Sequence, residues 1–100
     1  MDWEVTWAES ALADVEAAVR RSARHSAEAA ESLRAALFAS VDVLGRLPEI
    51  GAVYEPDESG RTREIACRQY RIFYRPRPAE RRVDVVMVWH SSRREPRLPE

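Results

Sequence analysis

The stretch QYRIFYRPRPAERRVDVVMVWHSSRRE, residues 69–95, decides the reading of this chain. It predicts a β-hairpin. Tyr70 to Arg75 form one strand, and Pro76 and Pro78 end it, because proline donates nothing to a sheet ladder. Residues 77–81 make the loop, and Val83 to Trp89 form the return strand. That return strand is apolar almost throughout (Val83, Val85, Val86, Met87, Val88, Trp89). A strand covered on one face alternates apolar with polar, so this one is expected to be central and covered on both. In the first arm, Tyr70, Ile72 and Tyr74 share one face and suit the covered side. Arg71, Phe73 and Arg75 then lie on the open side. At the exit of the return strand come His90, Ser91, Ser92, Arg93 and Arg94, with His90 expected on the face of Val86 and Val88.

Upstream, residues 61–68 alternate, with Arg63, Ile65 and Cys67 opposing Thr62, Glu64 and Ala66, and predict a strand leading into the hairpin. Residues 48–60, PEIGAVYEPDESG, are rich in turn formers and predict a loop. At the N-terminus Trp3, Val5 and Trp7 alternate with Asp2, Glu4 and Thr6, the pattern of a short strand. Thr6-Trp7-Ala8-Glu9 fits a capping box for a helix over 8–24, whose stripe is Ala8, Ala11, Leu12, Val15, Ala18 and Val19. No Gly or Pro ends that helix. Continued to Arg46 it would measure about 58 Å, against a radius of gyration of about 13 Å for a chain of this length. A break at 22–26 is therefore expected, with Ser26 capping a second helix over 27–46. Leu33, Leu37, Val41, Leu44 and Leu47 form its stripe, Gly45 weakens its last turn, and Pro48 stops it.

The element order is β-α-α-β-β-β. It predicts an α+β two-layer sandwich, a four-stranded antiparallel sheet of order 1-4-3-2 with an αα-hairpin on one face. The 100 residues suffice for one modest core, so residues 1–100 are read as a single domain with a disordered tail from about 95. No apolar run approaches the ~20 residues of a membrane span, and the acidic start lacks a secretory pattern. The lone Cys67 has no internal disulfide partner, and a cytoplasmic setting follows as the expectation.

Charge is unevenly divided. Residues 1–60 hold 5 arginines against 12 acids, and residues 61–100 hold 11 against 5, giving −7 and +6 for the stated total of −1. A basic half of this kind suits a phosphate or an acidic peptide, and equally suits internal neutralisation across the fold. All 16 basic residues are arginine. Arg71 on the open face can grip a phosphate or carboxylate bidentately. Arg63, Arg68, Arg93, Arg94 and Arg97 extend the basic set. His90 is the candidate acid or base, and His25 belongs to the interhelical turn. Two distant histidines and one cysteine make a poor metal set, so no metal or cofactor is expected. Cys67 reads as a small buried hydrophobe. No Ser/His/Asp arrangement, Gly-rich phosphate loop or paired-carboxylate site stands out.

Five pieces together carry a resemblance: VTWAESALADV at 5–15, LGRLPEIG at 44–51, GRTREI at 60–65, YRIFYR at 70–75 and VVMVWHSSR at 85–93. In this order and spacing the chain resembles the RelE/ParE superfamily of bacterial type II toxin–antitoxin toxins. The resemblance implies the RelE-like fold, a cognate antitoxin as partner, and one of two activities. ParE-like members poison DNA gyrase; RelE-like members cleave mRNA on the ribosome without a metal. The RelE-like pattern has a basic second strand, an arginine on the third, and an arginine plus a tyrosine near the C-terminus. Arg63, Arg71 and Arg93 match its basic elements, but no tyrosine follows Tyr74, which leaves His90 as the substitute proton carrier. The ending WHSSRREP is more similar to the ParE-like branch, which is the favoured reading. On it, Arg63, Arg71, Arg93 and Arg94 contact the target; on the RelE-like alternative, His90, Arg71 and Arg93 are catalytic. A third reading keeps the fold as a non-toxic binding module, since fold does not fix function.

Overall fold

The computed structural model describes residues 2–99. In chain order they form β1 (Glu4–Trp7), α1 (Glu9–Ala23), α2 (Ala27–Arg46), β2 (Ala52–Val53), β3 (Arg63–Cys67), β4 (Tyr70–Arg77) and β5 (Arg82–His90), with a 3-10 turn at Pro78–Glu80. The sheet has five strands in the order β1-β5-β4-β3-β2. The expected sequence of the four longer strands is found, with β5 internal between β1 and β4.

Two expectations about the sheet topology are corrected, and the first hairpin arm does not end at Pro76 but continues through it, paired with Val83, to Arg77. The sheet has a fifth strand, and β1 runs parallel to β5 (Val5 opposite Val83, Trp7 opposite Val85). The fifth strand, β2, pairs two residues with β3 inside the segment expected to be loop, too short for any periodicity to register. The direction of β1 follows from where the helices travel. α1 continues along β1's own direction: Asp14 accepts the Val88 amide at 3.0 Å, and farther on Arg21 reaches the Tyr70 hydroxyl at 3.3 Å. α2 then returns the chain to the start of β1, where the Trp3 amide donates to the Gly45 carbonyl at 2.8 Å. With β2 and the loop after it taking up that end, β3 sets out along β1, β4 returns, and β5 ends parallel to β1.

The helix boundaries come from different causes. Ser26 caps α2 as expected, its hydroxyl accepting the Ala29 amide at 2.9 Å. The capping box at Thr6 does not form. Thr6 stays in β1 and its hydroxyl donates to Asp84 Oδ1 at 2.7 Å, while Ala8 begins α1 without a side-chain cap. Gly45 is a close approach rather than a weakness: a Cβ there would lie 2.9 Å from the Trp3 carbonyl oxygen.

The main core lies between the helices and one sheet face. Ala11, Val15 and Ala18 of α1 and Leu37, Val41 and Leu44 of α2 pack there on Tyr70, Ile72, Tyr74, Val83, Val85 and Val88. Leu12 and Leu47, expected in the helix stripes, remain largely exposed. The opposite face carries a smaller cluster of Tyr54, Phe73 and Val86, joined by Met87, Trp89 and Leu98. An extra residue explains how β5 serves both faces. Tyr74 pairs with Val85 and Phe73 with Met87, so Val86 has no opposite number on β4. This bulge shifts the alternation by one. Val88 and His90 therefore face the helices while Val86 faces away, which corrects the expectation that Val86 and His90 share a face.

Candidate functional site

The open face of the sheet is built around Arg71. It pairs with Ala66 on β3 and Trp89 on β5, and Glu64 lies diagonally across β3, opposite Phe73. The Arg71 guanidinium bonds Glu64 through Nε at 2.9 Å and Nη2 at 3.3 Å. Its Nη1 bonds Glu95 Oε1 at 2.9 Å. It also stacks near Phe73 and Tyr54, 5.0 and 5.7 Å from the ring centroids. Two carboxylates raise its pKa further above the ordinary arginine range, with the Glu64 hydrogen bonds as the leading cause. The other Glu95 oxygen accepts the Tyr54 hydroxyl at 2.7 Å. Burial first, and this carboxylate second, push the Tyr54 phenol up to about 12.

The chain's own C-terminal segment thus lies across the open face. Arg93 stacks on Trp89 at 3.9 Å, and the Trp89 indole donates to the Arg94 carbonyl at 2.8 Å. Glu95 ties to Arg71 and Tyr54, and Leu98 joins the small apolar cluster. At the far end Arg75 is buried, donating to Thr62 Oγ1 at 3.1 Å and to the Pro99 carbonyl. Burial lowers its pKa.

The residues singled out from sequence go to different places. Arg71 and Arg93 flank Trp89 on the open face. Arg94 is exposed beside them. His90 is on the other face: its ring meets Tyr70 edge-on at 5.1 Å, and Nδ1 accepts the Ser92 amide at 3.1 Å. Arg63 belongs to that second face too, where its Nη1 holds the Gly51 carbonyl at 2.7 Å and the Glu49 carbonyl at 3.2 Å. Arg68 turns onto α2, reaching the Ser32 hydroxyl at 2.9 Å. The arginines expected to form one basic patch are therefore divided between two faces. Tyr54 and Glu95, which complete the open face, were not singled out. Glu95 is the one acid in the basic run 91–97, and that contrast was the available signal.

Among the described residues no group of His, Cys, Asp or Glu could hold a metal ion, and no helix is long and apolar enough to cross a membrane.

Three comparisons bear on this geometry. No curated protein matches the chain. Its fold is similar to one in the crystal structure of the toxin–antitoxin complex RelBE2 from Mycobacterium tuberculosis, with a TM-score of 0.69 and 21% identity, covering 90% of this chain and 99% of that one. The family described as the ParE toxin of the type II toxin–antitoxin system, parDE, matches residues 5–95, which take in all of the strands and helices named above except Glu4 of β1. The chain belongs to this ParE toxin family of type II toxin–antitoxin systems.

Proposed function

We propose that the chain acts in the cytoplasm as a toxin that inhibits DNA gyrase by binding it, and that a cognate antitoxin neutralises it. The observation that carries this reading over ribosome-dependent mRNA cleavage is the separation of His90 from Arg71. Cleavage needs a proton carrier and phosphate-binding cations around one reacting phosphate. Tyr70 pairs with His90 and Arg71 with Trp89, so the imidazole and the Arg71 guanidinium leave opposite faces of the sheet. No tyrosine follows Tyr74 to take the role instead. Inhibition by binding demands no such convergence.

The antitoxin has a surface to cover. Leu47, Ile50 and Val53 are 51, 57 and 39% exposed, at the end of α2, in the turn after it and in the edge strand β2. An edge strand with unpaired backbone groups and apolar neighbours suits an added strand or an amphipathic helix. The test is one purified sample in two assays. The expected result is loss of supercoiling by gyrase and no cut mRNA on translating ribosomes; the reverse pair of results overturns the reading.

A further inference from the structure

On the helix side, a groove of about 520 Å³ opens between the α1–α2 turn and the β3–β4 turn. Arg21, His25, Arg68 and His90 line it, with the hydroxyl residues Ser22, Ser32 and Tyr70 between them. No carboxylate is among its lining residues. Four groups able to carry positive charge thus converge from four parts of the chain: the end of α1, the interhelical turn, the β3–β4 turn and the end of β5.

Their positions are fixed by contacts that leave the cations unneutralised. Arg21 bonds the Tyr70 hydroxyl at 3.3 Å and Arg68 bonds the Ser32 hydroxyl at 2.9 Å; both partners are neutral. Neither arginine has a carboxylate within ion-pair distance among the described residues, in contrast to Arg34, Arg71, Arg77 and Arg82. His90 is held by Tyr70 on its ring and by Ser92 at Nδ1, which leaves Nε2 as the nitrogen not engaged by Ser92. Arg68 occupies the first position of a two-residue hairpin turn with φ of 56°, a place that favours glycine. An arginine there accepts backbone strain and sets a guanidinium at the groove rim. One arginine fork satisfies a carboxylate. Donors arriving from several directions suit a tetrahedral anion with more oxygens to fill.

The geometry points to this groove as a binding site for a phosphate group, carried by a nucleic-acid backbone or free in solution. It is independent of the gyrase reading and uses the face opposite Arg71. The two histidines are the only ones in the chain, so their ring-proton NMR signals report on the groove directly. Inorganic phosphate, a single-stranded DNA dodecamer and a glutamate-rich peptide are titrated into the full chain at fixed pH and ionic strength. Saturable shifts of both histidine signals with phosphate or DNA support the site, and the tighter of the two names its source. Arg21→Gln and Arg68→Gln should each weaken binding tenfold or more. Arg81→Gln removes the same charge from the opposite hairpin and should leave affinity within twofold. Unmoved or unsaturable signals with both phosphate probes overturn the proposal. So does an equal loss in Arg81→Gln, which would mean diffuse attraction, or tighter binding of the acidic peptide than of either phosphate probe.

Discussion

Replacing Tyr74 by phenylalanine removes one oxygen from the centre of the fold. Tyr74 is fully buried, and its hydroxyl accepts the Gly51 amide at 2.8 Å. Gly51 is buried as well, and no space exists beside it: a Cβ would lie 2.6 Å from the Tyr74 hydroxyl and 2.7 Å from the Glu64 carbonyl oxygen. The variant keeps the ring and its packing but leaves a buried N–H without a partner. That penalty is about 1–3 kcal/mol. At roughly 4–8 °C per kcal/mol for a domain this size, a 2 kcal/mol loss lowers Tm by about 8–16 °C. Gly51→Ala should cost at least as much, because the Glu64 carbonyl belongs to β3 and cannot rotate away. The two changes should couple: with the hydroxyl gone, the alanine methyl loses its nearest obstacle, so the double variant costs less than the sum. Urea and thermal melts followed by circular dichroism measure all three. A Tyr74→Phe variant within 0.5 kcal/mol of wild type, or a strictly additive double, would refute the account of how the 49–51 turn is held.

Three further outcomes are expected. In induced cells, His90→Ala should retain growth arrest while Arg93→Glu, and to a lesser degree Arg71→Ala, reduce it at equal protein level by blot; loss in His90→Ala alone, with mRNA cut by the wild type, reverses the assignment. Ile50→Asp and Leu47→Asp should each weaken the complex with the product of the neighbouring antitoxin gene by about 10–100-fold in calorimetry, the worth of roughly 1.5–3 kcal/mol of apolar burial, without lowering Tm. Stability should fall at both pH extremes. Hydrogen bonds from Thr62 and Ser59 hold Asp57 at about 2, and the Arg82 hydrogen bond lowers Asp84, so their contribution is full above the ordinary Asp value and is lost as pH falls through the depressed ones. Asp14, raised by burial, works in the opposite sense. Burial raises both Tyr54 and Tyr74, so their contribution is full below pH about 10 and is lost as pH climbs toward the Tyr54 value of about 12. Melts from pH 2 to 12 on wild type, Asp57→Asn and Tyr54→Phe check the signs; a flat alkaline limb in the wild type contradicts the tyrosine assignment.

What the sequence makes legible is whatever depends on neighbours in the chain. Ser26 and Pro48 delimit α2 because capping and proline act within one turn. The hairpin is legible because Pro78 and the polar residues after it separate two apolar runs, although Pro76, expected to end the first arm, lies inside β4 opposite Val83. What depends on distant partners is not. Thr6 has the local chemistry of a helix cap, but Asp84, 78 residues away, takes its hydroxyl and keeps it in the sheet. The direction of β1 rests on which end of the sheet α2 reaches, decided by Gly45 against Trp3. The bulge at Val86 is hidden because every residue around it is apolar, and alternation has nothing to mark. That hidden step is also why His90 could be assigned a face in common with Val86, whereas Arg63 already alternated with Ile65 and Cys67, which face the helices.

The division has a consequence for charge. On the open face Arg71 is matched by two carboxylates, Glu64 and Glu95, and Arg93 lies over the Trp89 ring. A phosphate approaching Arg71 meets two negative groups for one positive, and must displace Glu95 from both Arg71 and Tyr54 to reach the guanidinium. On the helix face Arg21 and Arg68 have neutral partners and no lining acid. Coulomb attraction between an arginine and a phosphate at contact is several-fold larger at a protein surface than in bulk water, so the sign of the nearest fixed charges decides where an anion settles. By that measure the face with Arg71 is the less attractive to a nucleic acid while residues 93–99 lie across it. On the two readings proposed above, the open face suits a protein target and the groove beside Arg68 suits a phosphate.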